Sequence, residues 1–235
     1  MATRKYPLLE TQNLTKEYCR KDVSVIKALD GINLKVNSGE FVAMVGRSGS
    51  GKTTLLNILG ALDRPTLGEV VFEGKKLKDY SNRELALLRR KKIGFIFQTF
   101  NLLPTLTARE NIELALVHHQ ISQKQMNQKV EELMDFLEIS DKMNSFPHEL
   151  SVGQQQKVAI ARALVKDPVL VLADEPTGEM DPIAEREIMQ KLVELNRESK
   201  VTLIIASHGT FLYDFSDRTV FIKNGKIDSK KEAGY

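Results

Sequence analysis

The stretch "GRSGSGKT" (46–53) has the residue types and spacing to hold a polyphosphate. Gly46, Gly49 and Gly51, with Ser48 and Ser50 between them, let successive backbone N–H groups converge on phosphate oxygens. Lys52 supplies a cation able to reach the β- and γ-phosphates, and the Thr53 hydroxyl is placed for Mg²⁺. The context supports this. An apolar run, "FVAMV" (41–45), precedes the loop, and a helical pattern runs from Lys52 to about Gly60. The positive end of that helix would face the bound anion.

A second group with chemical potential closes the apolar run "VLVLADEP" (169–176). Asp174 and Glu175 read either as solvated acids at a strand end or as metal and water ligands. Beside a phosphate loop the second reading gains weight, because Mg²⁺ needs hard oxygen donors. Strand alternation sends Glu175 to the opposite side from Asp174, where it could orient or partly deprotonate an attacking water.

These groups need a scaffold. From residue 8 to about 45 the signals are strands: "INLKV" (32–36) alternates, "NSGE" (37–40) turns, and 41–45 is a buried run. "EVVFEG" (69–74) reads as a further strand. Ser81/Glu84, Thr107/Glu110, Ser122/Gln125 and Ser151/Gln154 each have the spacing of a capping box. They mark a helix-rich segment interrupted by a strand at 93–97. Alternation then resumes with a strand at 169–173, a helix opened by Asp181 as N-cap and Pro182 at its first position, and a strand at 202–206. "TVFIKNGKI" (219–227) carries the Asn-Gly signal of a hairpin. An α/β fold follows, with an antiparallel β edge and a helical insertion.

Composition restricts the function classes. The 235 residues include 34 Lys and Arg against 31 Asp and Glu, a net charge of +3. The basic residues are scattered, which argues for solvated faces and against a nucleic-acid partner. Cys19 is the only cysteine, so no intrachain disulfide forms and nothing points to an oxidising compartment. "MATRKYPLLE" lacks the apolar stretch of a signal peptide. The apolar runs fall far short of the roughly 20 residues needed to span a bilayer. A soluble chain is expected, with any membrane role exerted through a partner.

The phosphate loop, "FQ" (97–98), "LSVGQQQ" (150–156), "LADEP" (172–176) and "SH" (207–208) occur in the order of the ABC transporter ATPases. The resemblance spans about residues 8 to 228. "FQTFNLLPTLTARENIELAL" (97–116) and "ADEPTG" (173–178) are most similar to the ATPases of lipoprotein-releasing and macrolide- or peptide-export systems, with cell-division ABC ATPases nearby. It implies one ABC ATPase domain over 1–235. The nucleotide-binding core, with its mostly parallel sheet and antiparallel β subdomain, would cover about 8–97 and 166–228. The helical subdomain would cover about 98–165.

The resemblance also implies roles. Tyr18 would stack on adenine, although a half-buried strand-end tyrosine is a competing reading. Thr54 would contact the α-phosphate. Gln98 would join Thr53 and Asp174 at Mg²⁺. Lys52 and His208 would stabilise the γ-phosphate, and Glu175 would polarise water. Ser151, Val152, Gly153 and Gln154 would act in trans, on an ATP held by the loop of a second copy, and Asp181 would lie in the loop between the two sites. The expected partners are a second copy of the chain and a membrane permease, the latter engaged near Gln98 and residues 101–112. The chain would then be cytoplasmic and peripheral on the inner face of the cell membrane. An ATPase that drives a mechanical or signalling membrane complex is the alternative.

Several positions depart from the family pattern: Arg47 for Pro, Thr99 for Gln, Val152 for Gly, Glu179 for Ala and Gly209 for Asp. None removes a group assigned to chemistry. Glu179 and Val152 put bulk at the expected subunit contact, so a functional but weaker dimer is expected.

Overall fold

The structure is a computed structural model that describes residues 6–19, 25–178, 180–209 and 211–228. Two sheets carry the fold. The first is antiparallel, in the order β2-β1-β4-β5, formed by β1 (Leu9–Cys19), β2 (Val25–Val36), β4 (Leu67–Phe72) and β5 (Lys75–Lys76). The second runs β10-β9-β3-β8-β7-β6, from β3 (Phe41–Val45), β6 (Ile93–Ile96), β7 (Leu170–Asp174), β8 (Thr202–Ser207), β9 (Arg218–Lys223) and β10 (Lys226–Ile227). Its pairings are parallel except for the β9–β10 hairpin. Asn224 and Gly225 both have positive φ in that hairpin turn, as the Asn-Gly pair predicts.

Alternation along the parallel strands feeds two cores. Phe41, Ala43 and Val45 of β3, Leu203 and Ile205 of β8, and Val171 and Ala173 of β7 face one side. There they pack with α3 (Ala108–Glu113), α4 (Gln123–Phe136), α5 (Val152–Leu164) and α6 (Pro182–Ser199). Val42, Met44, Leu172, Ile204 and Ala206 face the other side. They meet α1 (Lys52–Leu59), α2 (Asn82–Lys92) and the inner face of the antiparallel sheet. Central strands buried on both faces must be apolar throughout, which is why "FVAMV" and "TLIIA" read as continuous runs.

All four capping boxes form. Ser81, Thr107, Ser122 and Ser151 each accept from the backbone N–H three residues on, and the paired Glu or Gln returns the bond. Asp181 caps α6 by accepting from the Ile183 and Ala184 N–H groups, at 3.0 and 3.1 Å, with Pro182 at the first helical position. No helix among the described residues is long and apolar enough to cross a membrane.

Candidate functional site: a phosphate loop at the carboxyl edge of the parallel sheet

Pairing β3–β8–β7–β6 places four strand ends side by side. The loop 46–51 leaves β3, Ser207 ends β8 with His208 next, Asp174 ends β7 with Glu175 next, and Gln98 lies two residues past β6. In open α/β sheets this carboxyl edge is where ligands bind.

The loop is closed by short backbone bonds. The Gly46 N–H donates to Ser207 O at 3.3 Å, Ser50 N–H to Arg47 O at 3.1 Å, and Gly225 N–H to Ser50 O at 2.9 Å. Two glycines are sterically required. A Cβ on Gly46 would lie 2.3 Å from the Ile222 carbonyl oxygen. Gly51 combines φ of +109° with only 2.6 Å between such a Cβ and Ala28 O. Lys52, at 5% exposure, folds back over the loop, and its Nζ donates to Gly46 O at 2.8 Å and Arg47 O at 3.3 Å. The Ser50 Oγ is buried without a hydrogen-bond partner. A bound oxyanion bordered by these groups accounts for that.

Both carboxylates turn toward this loop, which corrects the expectation that Glu175 points away from Asp174. β7 ends at Asp174, and Glu175 takes a left-handed φ of +46° while its N–H donates to Ala206 O at 2.8 Å. Extended alternation no longer governs its direction. Glu175 Oε1 lies 3.7 Å from Lys52 Nζ, and Oε2 lies 3.2 Å from Nδ1 of the exposed His208. Asp174 lies within electrostatic reach of the Thr53 side chain, Glu175 and Lys52. Burial pushes its carboxyl up and the nearby Glu175 adds to this, while Thr53 and Lys52 oppose it. Among the described residues no three acidic, His or Cys side chains form a metal cage. The donor set instead suits Mg²⁺, which is typically held by one or two carboxylates together with substrate phosphates.

Tyr18 is the penultimate residue of β1 and is 42% exposed. Its hydroxyl donates to Asp63 Oδ2 at 3.0 Å. Gln98 is exposed and makes no side-chain hydrogen bond to Thr53 or Asp174 among the described contacts. Ser151, Val152, Gly153 and Gln154 open α5, with Val152 44% exposed. No hydrogen bond or ion pair joins them to the loop 46–53 of the same chain. Glu179 lies outside the described residues. Of the other departures, Arg47 is exposed, Thr99 Oγ1 donates to Asn101, and the Gly209 N–H donates to Ser207 Oγ.

Two residues with no motif behind them shape the segment after Gln98. Arg162 of α5 donates to the carbonyls of Phe100 and Asn101, the former at 2.7 Å. The fully buried Asn111 exchanges hydrogen bonds with Leu103 and also donates to Leu106 O and Thr107 O. The available signal was an Arg inside the apolar run "VAIARALV" and an Asn on the inner face of a short helix.

Residues 29–178 match the family described as "ABC transporter". The chain belongs to that family. It is 43% identical over 97% of its length to the ABC transporter ATP-binding protein YvcR of Bacillus subtilis, covering 88% of that protein. It is 42% identical over 94% of its length to a third (33%) of the macrolide export ATP-binding/permease protein MacB of Nitrosomonas europaea. A dimeric post-hydrolysis structure of the ATP-binding cassette MJ0796, bound to ADP and Pi, matches with a TM-score of 0.88 at 42% identity. That match covers 94% of this chain and 96% of the other, and MJ0796 comes from Methanocaldococcus jannaschii.

Proposed function

We propose the following division of labour in a member of the ABC family that binds ATP with Mg²⁺, hydrolyses it and powers an ABC-type membrane transport complex. The observation that carries it is the convergence of Lys52, Glu175 and His208 at the mouth of the phosphate loop. Ser48, Gly49 and Gly51 present backbone N–H groups to the β-phosphate, Gly46 and Ser50 close the loop through their own N–H bonds while the Ser50 Oγ meets the phosphate, and Thr54 reaches the α-phosphate. Lys52 and His208 stabilise charge on the γ-phosphate, and Glu175 orients and polarises the attacking water. Positioning and charge stabilisation of this kind are what phosphoryl transfer requires of a protein. Thr53, Asp174 and Gln98 hold Mg²⁺, which neutralises phosphate charge when bound. Tyr18 carries the adenine.

The second half of each site comes from another copy of the chain. Ser151 spends its hydroxyl on the Gln154 N–H at 3.3 Å, which leaves the first N–H groups of α5 to face an anion. Among the described residues no hydrogen bond or ion pair from another segment of the chain reaches that helix end, and the dimeric form of MJ0796 supports pairing. Asp181, the N-cap of α6, belongs to the loop that communicates between the two sites. The domain divides at about residues 97 and 166, with 98–165 as the helical lobe. The segment after Gln98, including 101–112 and braced by Arg162 and Asn111, is the contact for a membrane permease. The chain is thereby held on the cytoplasmic face of the membrane. The fused ATP-binding and permease portions of MacB support this arrangement and favour transport over a purely mechanical role.

Substituting Lys52→Ala tests the assignment. Binding of a fluorescent ATP analogue and phosphate release should both be lost in a protein that still melts cooperatively. Wild-type hydrolysis by that variant overturns the reading.

A further inference from the structure

Tyr18 is an exposed aromatic at a strand end, beyond the reach of the main cores. A ring in that position stacks on a base at the cost of its rotamer freedom, unless something holds it beforehand. The structure holds it at two points, the hydroxyl and one face of the ring. Its hydroxyl donates to Asp63 Oδ2 at 3.0 Å. The other carboxylate oxygen, Oδ1, accepts from Lys16 Nζ at 2.8 Å and from the Arg64 N–H at 2.7 Å. Lys16 Nζ also donates to Arg64 O at 2.8 Å and lies 4.9 Å from the centre of the Tyr18 ring. The ammonium stands over the ring, so it covers one side and leaves the other for a base.

Asp63 is itself fixed to the helix that starts at the phosphate loop. Leu62 and Asp63 both donate from their backbone N–H to Asn57 O of α1, at 2.8 and 3.2 Å. Through Asp63 the ring is therefore tied to the last turn of that eight-residue helix. Burial pushes the Asp63 carboxyl up, but Lys16, the Arg64 N–H and Tyr18 together hold it below its ordinary value, so it stays an acceptor at neutral pH.

We propose that Asp63, clamped by Lys16, is a positioning residue that presets the Tyr18 ring at a fixed distance from the phosphate loop and so sets the contribution of the base to ATP affinity. This rests on the reading of Tyr18 as the adenine contact.

Calorimetric titration with Mg-ATP and with Mg-tripolyphosphate, which has no base, tests it. Asp63→Ala weakens ATP about tenfold, the effect of freeing one side chain that must then be ordered on binding, and leaves tripolyphosphate unchanged. Tyr18→Phe removes the same tether without disturbing Lys16 and gives the same pattern, and the double variant is no weaker than either single one. Asp63→Asn, which keeps an acceptor, falls between. Equal losses for ATP and tripolyphosphate in Asp63→Ala would make Asp63 a fold residue and overturn the proposal. Tyr18→Ala separates the two levels. If it binds ATP like the wild type, the adenine reading itself fails. If it is weak while Tyr18→Phe and Asp63→Ala bind normally, only the positioning role fails.

Discussion

Glu175 Oε1 stands 3.7 Å from Lys52 Nζ. The same carboxylate reaches His208 through its second oxygen, so one anion engages both groups assigned to the γ-phosphate. A γ-phosphate drawing on Lys52 and His208 competes with Glu175 for them and leaves the carboxylate facing the water it is assigned to polarise. Geometry of this kind arises because β7 stops one residue early and Glu175 turns into left-handed backbone.

Glu175→Gln should therefore separate binding from turnover. The amide cannot hold Lys52 by charge, so ATP affinity is unchanged or higher. Hydrolysis falls about 10²- to 10⁴-fold, the usual contribution of a general base. Equilibrium binding of an ATP analogue and single-turnover phosphate release measure the two. Wild-type turnover in this variant would remove Glu175 from the mechanism.

Much of this site was legible in the sequence because backbone geometry fixes it. A glycine pattern before Lys-Thr demands convergent N–H groups, and Ser151 three residues before Gln154 demands a capped helix end. The direction of Glu175 was not legible, since period-two alternation holds only while φ stays extended. Asp63, Asn111 and Arg162 were also missed. Asn111 bonds locally, 4 to 8 residues away, but with no capping pattern to mark it. The partners lie 45 residues apart for Asp63 and Tyr18, and about 60 for Arg162 and the Phe100–Asn101 carbonyls. Local pattern carries no information about pairings at that separation. The two cores were legible only as apolar runs. Which alternate residues of β3 face the helices became clear from the order of strands in the sheet.

Val152 gives a test of the second copy. Its side chain is 44% exposed at the first position of α5, and its N–H is retained whatever the side chain. Val152→Gly should leave ATP binding unchanged and dimerisation equal or tighter, measured by size-exclusion chromatography with ATP in a Glu175→Gln background. A glycine there costs at most about 1 kcal/mol of helix stability, so a thermal melt accompanies the measurement. A lower dimer fraction would show that the valine is a favourable contact.

Asp174 should be a destabilising residue retained for its chemistry. Burial raises its carboxyl pKa in the folded chain, so the folded state binds the proton more tightly than the unfolded state does. The ionised form then costs stability above the folded pKa, and the cost vanishes below the unfolded value of about 4. Asp174→Asn is expected to raise the urea midpoint at pH 7, with the gain disappearing toward pH 4. The variant should also lose the stabilisation that Mg-ATP gives the wild type through linked binding. A lower midpoint at pH 7 would show that Thr53 and Lys52 outweigh burial.

Lys166 offers a similar test away from the nucleotide. It lies just past α5, where burial pushes its ammonium down to about 8, and its Nζ donates to the Arg89 carbonyl at 3.0 Å. A lysine whose folded pKa falls below its unfolded value disfavours the protonated form. The cost is complete below about pH 8 and is relieved as pH rises toward 10.5. That drop corresponds to about 3 kcal/mol at most, and removing the donor to Arg89 O returns about 1 kcal/mol of loss. Lys166→Met, which keeps the apolar stem, should stabilise the chain by about 1–2 kcal/mol at pH 7. Urea midpoints at pH 7 and pH 10 check the sign, because the advantage must shrink at the higher pH. An advantage that is equal at both would assign it to methionine packing and not to the relieved charge.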